Sequence, residues 1–296
     1  MISMVRILAG AAALWLFGAL NLASAQEAAS FRPAMFVARD ADSTIYLYGT
    51  VHLRRPGGDW GDDAAKAALA SAEEVWTEMH IGPEAQAEVQ RAVMALGFSD
   101  APLSSRLSAE EYAQLTALAE RYGMPVAGLD RMKPWLAALT LSMLPMMQAG
   151  YDPEAGVDQG VENAAGEGVR RRAFETAAQQ IGFFATMDGD AQMQFLRESI
   201  AEASEGVEAL DELSIAWERG DLETLERVVI DEFKAEAPGV YDVIITRRNR
   251  AWTDVLMTEL EGAGVDFVAV GAAHMLGEDG LVAMLRARGV SVERVN

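Results

Sequence analysis

Two short motifs, each built from a glycine and a histidine, are the most chemically informative feature of this sequence. The chain has three histidines, and two of them close a Gly-x-x-His motif, His52 after Gly49 and His274 after Gly271. Each motif follows an apolar run that predicts a β-strand, and the glycine permits a tight turn there. Because ligands bind beyond the carboxyl ends of strands in α/β sheets, both imidazoles are candidates for one site. The alternative is two hydrogen-bonded structural histidines.

A carboxylate supplies a third candidate ligand. Glu78 stands near the end of the apolar run 74–79, which predicts a strand. If the first unit has the usual right-handed crossover, this strand can neighbour the one that carries His52. An exposed strand-end position is the alternative for Glu78. Two imidazoles and one carboxylate form an open catalytic site for Zn, Mn, Fe or Co, at which a bound water with a pKa near about 7 supplies hydroxide. His80, on the same strand face, is a candidate fourth ligand.

Signatures of several other enzyme classes are absent from the sequence. It contains no Gly-x-x-x-x-Gly-Lys phosphate loop, no Gly-x-Ser-x-Gly elbow, no His-Glu-x-x-His helix and no Gly-x-Gly-x-x-Gly dinucleotide turn. The paired histidine motifs therefore carry the functional prediction.

The elements that position these motifs form two similar units. Each unit reads as strand, loop, helix and strand, and the first is preceded by a strand that makes a hairpin with it. Crossover units of this kind predict an α/β fold with a mixed or largely parallel sheet. The predicted strands are 34–39, 44–51, 74–79, 265–270 and 290–295, and the predicted helices of the two units are 62–72 and 281–288.

The middle of the chain, about residues 83–165, is predicted to be a helical insert, with a short strand at 125–129 as an optional interruption. The most apolar part of the mature chain, residues 135–147, is 13 residues long and contains Pro145, so it suits a buried helix better than a membrane span. A further strand is predicted at 169–174, and helices over most of 176–261.

The N-terminus predicts export. Residues 1–25 contain one charge, Arg6, then an apolar run and a small-x-small ending, which is typical of a signal peptide cleaved after Ala25. The remaining residues, 26–296, are predicted to be a single domain in the periplasm or outside the cell, with no stable membrane insertion. The sequence contains no cysteine, so neither disulfides nor thiolate metal sites form.

Charge argues against nucleic-acid binding. The formal net charge is −21, and loss of Arg6 with the signal peptide makes it more negative by one. An acidic protein repels phosphate backbones, and the short basic clusters at 170–172 and 247–250 are not long enough to reverse that repulsion.

The motifs and their order together resemble the TraB/GumN family. The resemblance covers residues 34–295 and includes the Glu78 strand. The other segments that carry it are residues 46–52 (YLYGTVH), 151–158 (YDPEAGVD), 174–180 (FETAAQQ), 248–252 (RNRAW) and 268–277 (VAVGAAHMLG). The second histidine motif reads Gly-Ala-Ala-His where the first has the Gly-Thr-x-His form usual in the family.

The resemblance implies a fold related to the Tiki metalloproteases and the erythromycin-esterase and ChaN-like groups. It implies His52, Glu78 and His274 as ligands of a divalent transition metal such as Mn, Co or Zn. The same resemblance adds Glu175 and Arg248 to Glu78 in the catalytic group. Chemically, Glu175 is suited to act as a general base or a partner of a ligating imidazole, and Arg248 as an oxyanion or substrate-carboxylate ligand. The alternative, which the residues alone favour, is an arginine on a helix surface and an ion pair at a strand end. The implied pocket residues are Gly49, Thr50, Gly271 and Asn249.

These features predict a metal-dependent hydrolase of the cell envelope, most simply a peptidase acting on a peptide or protein substrate. A second hypothesis is a periplasmic binding or regulatory protein that captures a peptide, a haem or a metal ion in the same crevice without turnover. A purely structural envelope protein is a third, and it leaves the paired motifs without a purpose. The oligomeric state is open.

Overall fold

The computed structural model describes residues 31–204 and 207–296. The predicted signal peptide, residues 1–25, lies outside the described residues. The described part of the chain folds as an α/β protein in which helices pack around one sheet.

Six strands form a single mixed sheet in the order β4-β3-β5-β2-β1-β6. The four strands β4, β3, β5 and β2 run parallel, while β1 is antiparallel to both of its neighbours. The predicted α/β class is confirmed. The strands are β1 (Met35–Arg39), β2 (Ser43–Thr50), β3 (Glu74–Met79), β4 (Arg170–Glu175), β5 (Gly264–Gly271) and β6 (Ser291–Arg294).

Helices fill the connections between the strands. Those up to β4 are α1 (Asp63–Ser71), α2 (Pro83–Leu96), α3 (Ala109–Arg121), α4 (Val126–Leu129), α5 (Pro134–Gln148) and α6 (Val157–Ala164). After β4 come α7 (Ala177–Ala185), α8 (Gly189–Ala203), α9 (Glu208–Glu218), α10 (Leu222–Leu225), α11 (Glu232–Glu236), α12 (Pro238–Tyr241), α13 (Arg247–Leu260) and α14 (Leu281–Ala287). Two π-helical turns, Glu226–Asp231 and Asp242–Thr246, lie next to α11 and α13.

The first unit shows how local sequence builds these elements. Asp62 caps α1 by accepting a hydrogen bond from the Ala65 amide, which satisfies one of the free donors of the first turn. The buried residues of α1 are Ala65, Ala68 and Leu69, a spacing of three and four that places them on one helix face. That face packs into the main core together with Tyr48 of β2.

Two local predictions are wrong. β2 and β3 are not neighbours, because β5 pairs in parallel with both of them and lies between them. Residues 125–129 are not a strand, since Val126–Leu129 forms the short helix α4, which Pro125 precedes with the φ of −65° that suits a helix start.

The apolar stretch 135–147 lies within α5, a helix of 15 residues that contains Pro145. Nine of its residues are buried, among them Trp135 and Leu141, which join the main core. In the part of the chain that the structure describes, no helix is long and apolar enough to cross a membrane.

Asp266 gives the sheet a pH-dependent stability. It pairs with Glu74 of β3, and burial together with the charge of Glu74 raises the pKa of Asp266 from 3.8 to about 6. A raised carboxyl pKa contributes stability that is complete below about pH 4 and is lost as pH rises through about 6. We expect Asp266→Asn to stabilise the fold at pH 7.5 by about 1 kcal/mol, which allows for screening by solvent. This corresponds to a rise of about 2–4 °C in the melting temperature.

Thermal melts at pH 4 and pH 7.5 measure this effect. The comparison of the parent protein with Asp266→Asn at pH 4 is the control. The side chain at position 266 is then uncharged in both folded proteins, so the two melting temperatures should agree. A lower melting temperature for Asp266→Asn at pH 7.5 would contradict the assignment.

Candidate functional site

The carboxyl ends of four parallel strands meet at one edge of the sheet. Thr50 at the end of β2 is in register with Gly271 at the end of β5, and Met79 at the end of β3 is in register with Glu175 of β4. His52 is the second residue after β2, and His274 lies in the 3₁₀ turn Ala272–Met275 that follows β5. Sheet order thus gathers residues that are more than 200 positions apart in the chain.

Glu78 lies at the centre of this edge. Its Oε1 accepts a hydrogen bond from the Gly271 amide at 2.9 Å. The same oxygen lies 3.5 Å from Nε2 of His52 and 3.7 Å from Nε2 of His274. The expectation that the two histidine motifs and Glu78 share one site agrees with this arrangement.

Asp158, near the start of α6, holds the first imidazole. One carboxylate oxygen accepts from Nδ1 of His52 at 2.7 Å, and the other accepts from the Thr50 hydroxyl at 2.6 Å. Burial alone lowers the pKa of His52, but the charge and hydrogen bond of Asp158, with a smaller contribution from Glu78, raise it to about 10. The Nδ1 hydrogen bond directs Nε2 toward Glu78.

Asn249, on α13, holds the second imidazole. Its side-chain oxygen accepts from Nδ1 of His274 at 2.6 Å, while its amide nitrogen donates to the Asp279 carbonyl at 2.7 Å. The ring of Trp252 lies 4.4 Å from the imidazole, centre to centre. Burial lowers the pKa of His274 to about 3; the charge of Glu78 opposes this change, and the charges of Arg248 and His52 add to it.

Arg248 lies beside the histidines in the interior, only 4% exposed. Its guanidinium donates to Glu78 Oε2 at 2.5 Å and, through two nitrogens, to both oxygens of Glu175 at 2.9 Å. Its third nitrogen, Nη1, lies 3.2 Å from Nε2 of His274. Although burial by itself lowers the pKa of Arg248, the charges of Glu78 and Glu175 outweigh that effect and raise it.

Glu175 lies behind Arg248 as seen from the histidines. Besides both Arg248 bonds, it accepts from the Trp252 indole at 2.9 Å and from the Gln180 amide at 3.2 Å. These contacts orient Arg248 and involve neither His52 nor His274. The roles of general base and imidazole partner for Glu175 stay predictions.

The two motif glycines allow close backbone approach. A Cβ on Gly271 would lie 3.1 Å from Glu78 Oε1 and 3.2 Å from His52 Nε2, inside the centre of the site. A Cβ on Gly49 would lie 3.0 Å from the Ala272 backbone. The glycines therefore keep space between the strand ends for the side chains that converge there.

The structure gathers the predicted ligands and the catalytic group, and of the predicted pocket residues Thr50 and Gly271 line the pocket. Gly49 and Asn249 are not among the described residues that line it: Gly49 lies against Ala272, and Asn249 contacts His274. His80 is exposed directly after β3 and is not among the described residues that line the pocket. Sequence reasoning missed three residues that hold the site, Asp158, Gln180 and Trp252. All three lie in segments that carried the family resemblance, which was the available signal.

The spacing of Glu78 and the two imidazoles is close to that of the ligands of a metal ion. Ligands bound at about 2.1 Å in a tetrahedral site lie about 3.4 Å apart, close to the distances of 3.5 and 3.7 Å between Glu78 Oε1 and the imidazole nitrogens. Each imidazole has its Nδ1 held by a protein oxygen, as is usual for metal ligands. As they stand, however, no three His, Cys, Asp or Glu side chains in the described ranges are arranged to hold an ion. Nε2 of His274, the nitrogen that would bind the ion, instead lies 3.2 Å from Nη1 of Arg248.

A pocket opens above these residues, with about 910 Å³ of space between its atoms, part of it continuous with solvent. His52, Glu78, Gly271 and His274 form its polar end. The remaining lining is largely apolar.

Comparison with known proteins places the chain among relatives of unassigned role. A protein of Escherichia coli strain K12 described as uncharacterized protein YbaP is 25% identical over 185 residues, which cover 62% of this chain and 68% of that protein. A Shigella flexneri protein of the same description matches to the same extent. No solved structure matches. The model of the TraB/PrgY/gumN family matches residues 34–294, so the resemblance seen in the sequence is confirmed and the chain belongs to that family.

Proposed function

We propose that this protein is a metal-dependent hydrolase whose substrate is a peptide or protein. The observation that carries the proposal is the approach of two imidazole nitrogens to one oxygen of Glu78, at 3.5 and 3.7 Å. Two imidazoles and a carboxylate leave coordination positions open for water and substrate. The proposed setting is the periplasm or the cell exterior, and it rests on the signal-like pattern of residues 1–25.

The charge of the buried cluster supports a divalent cation. Glu78, Glu175 and Asp158 are each less than 10% exposed and carry three negative charges, against one positive charge on Arg248. Without a metal, the raised pKa of His52 lets its imidazolium offset one further charge. Metal ligation requires both imidazoles to be neutral, and this leaves two negative charges in a site of low polarity for the bound ion to balance. A divalent cation such as Mn²⁺, Co²⁺ or Zn²⁺ held by His52, His274 and Glu78 balances them.

Different residues of the chain would bind the metal, orient its ligands and stabilise charge. When bound, the cation supplies Lewis-acid polarisation of a scissile carbonyl. Asp158 and Asn249 keep the imidazoles oriented through Nδ1. Arg248 would have to leave Nε2 of His274 when the metal binds; its buried positive charge would then lie beside the ligands and offset negative charge that develops there, and Glu175 holds its guanidinium in place.

Metal titration followed by a cleavage screen tests the proposal. Purified protein is treated with chelator, titrated with Mn²⁺, Co²⁺ or Zn²⁺ by calorimetry, and incubated with a peptide library read by mass spectrometry. We expect about one ion per chain and metal-dependent cleavage that chelator removes. Protein that takes up none of the three ions rules the proposal out.

The apolar lining favours a second candidate, a protein that captures a peptide without cleaving it. The same screen separates the two. Metal-loaded protein that retains one library member tightly and leaves every member intact supports capture, whereas cleavage supports the hydrolase.

Asp158 provides a graded test of imidazole orientation. Asp158→Asn keeps the size of the side chain but removes the charge that favours donation from Nδ1 of His52. We expect metal affinity to fall about 10- to 100-fold with the melting temperature largely preserved. Glu162→Gln, on the same helix and paired with Arg171 instead, is the matched control and should bind as the parent does. Equal loss in both variants would point to a disturbed helix rather than to orientation.

A further inference from the structure

Part of the pocket lining consists of five buried apolar side chains from one segment of the chain, residues 225–245, and these five are called the wing. The wing consists of Leu225, Val229, Phe233, Ile244 and Ile245. We propose that this wing binds an apolar side chain of the substrate, next to the bond placed over His52, Glu78 and His274. The inference rests on the proposed function in assuming that the occupant is a peptide.

The wing is built into the fold and is not an incidental surface groove. Each of its five side chains is at most 8% exposed, and Phe233 is fully buried. Val229 belongs to the first π-helical turn, and Ile244 and Ile245 belong to the second. Such turns occur frequently at functional sites. The carbonyl of Ile244 also accepts a hydrogen bond from Arg248 at 3.1 Å, which ties the wing to the polar end.

The lining discriminates by charge. Among the described residues, the charged or titratable side chains that line the pocket are His52, Glu78, His274 and Tyr151, and none of them belongs to the wing. Arg248 is engaged by Glu78 and Glu175 and is not part of this lining. A lysine or aspartate side chain entering the wing would lose its hydration without gaining an ionic partner, whereas leucine or phenylalanine would displace weakly held water.

The test is the binding of peptides in the absence of both metal and turnover. Calorimetry with chelator present compares blocked peptides acetyl-Ala-Ala-X-Ala-Ala-amide, where X is Leu, Phe, Lys or Asp. We expect the Leu and Phe peptides to bind at least about tenfold more tightly than the Lys and Asp peptides. Equal affinities, or no measurable binding by any of the four, would overturn the inference.

Two nearly isosteric substitutions locate the effect in the wing. Val229→Thr places a hydroxyl in the wing, and we expect it to weaken binding of the Leu peptide at least about threefold. Val228→Thr is the matched control, because Val228 is buried in the same π-helical turn but does not line the pocket. Val229→Phe fills the wing and should remove the preference for Leu. Similar losses in both threonine variants would contradict the placement.

Two further outcomes separate this inference from the hydrolase proposal. If metal-loaded protein cleaves nothing while the order of peptide affinities holds, the hydrolase fails and the wing stands. If cleavage occurs with Lys at X as readily as with Leu, the wing fails and the hydrolase stands. Dodecanoate that binds more tightly than every peptide would assign the wing to an acyl chain and overturn the peptide side chain as its occupant.

Discussion

Replacing Arg248 with methionine is expected to destabilise the folded protein by about 3–5 kcal/mol. The substitution preserves much of the side-chain volume but removes the cation that contacts two buried carboxylates, Glu78 and Glu175. Removing one partner of a buried ion pair leaves an uncompensated charge in the interior, and this is among the costliest single changes in a protein. Denaturant unfolding monitored by circular dichroism measures the free energy of unfolding.

The preceding residue supplies the control for this measurement. Arg247 has a largely exposed side chain that pairs with Asp242 at the surface. We expect Arg247→Met to change the free energy of unfolding by about 1 kcal/mol or less, because water screens surface pairs. If Arg248→Met is as mild as Arg247→Met, the buried ion cluster does not carry the stability assigned to it.

Loss of a proposed ligand has the largest expected effect on metal binding. We expect His274→Ala to lower the affinity for Mn²⁺, Co²⁺ or Zn²⁺ by more than about 100-fold, since even changes to residues that only orient a ligand cost 10- to 100-fold. Calorimetric titration of chelator-treated protein measures the affinity. We expect His274→Ala to lose peptide cleavage as well, because the proposed cleavage requires the bound metal.

His80 is the natural control for His274. It is exposed after β3, so His80→Ala removes an imidazole from the chain without altering the site. Affinity within twofold of the parent is expected. If the metal affinity of His80→Ala fell as far as that of His274→Ala, the metal would be bound elsewhere. A His274→Gln variant checks that the loss of affinity is not due to unfolding, because glutamine retains a polar group near Asn249.

Local sequence patterns were sufficient for most elements of the fold. Alternation of apolar residues predicted β1 and β2 as a hairpin, and Asp62 marked the start of α1. These predictions succeeded because the periodic spacing of apolar residues that marks a strand or a helix is visible within a few residues. Residues 125–129 show the limit of that information: four residues are too few for a period, and α4 formed instead of a strand.

Tertiary pairing decided the order of the strands. The sequence placed β3 after β2, and the usual right-handed crossover made them candidates for neighbours. β5 enters between them, pairing with β2 over eight residues from Ser43 to Thr50 and with β3 from Glu74 to Thr77. No local pattern reports such a pairing, because it joins segments about 200 residues apart and depends on side chains burying both faces of the sheet.

For the site, the sequence by itself determined which residues were chemically capable and that His52, Glu78 and His274 stand at strand ends. Only the tertiary structure decided their geometry, with Glu78 between the two imidazoles and Arg248 against His274. It also decided that Asp158 and Asn249 orient the rings. The physical reason is that residue type and strand position are local properties, whereas hydrogen bonds between distant segments exist only after the sheet has assembled and excluded water.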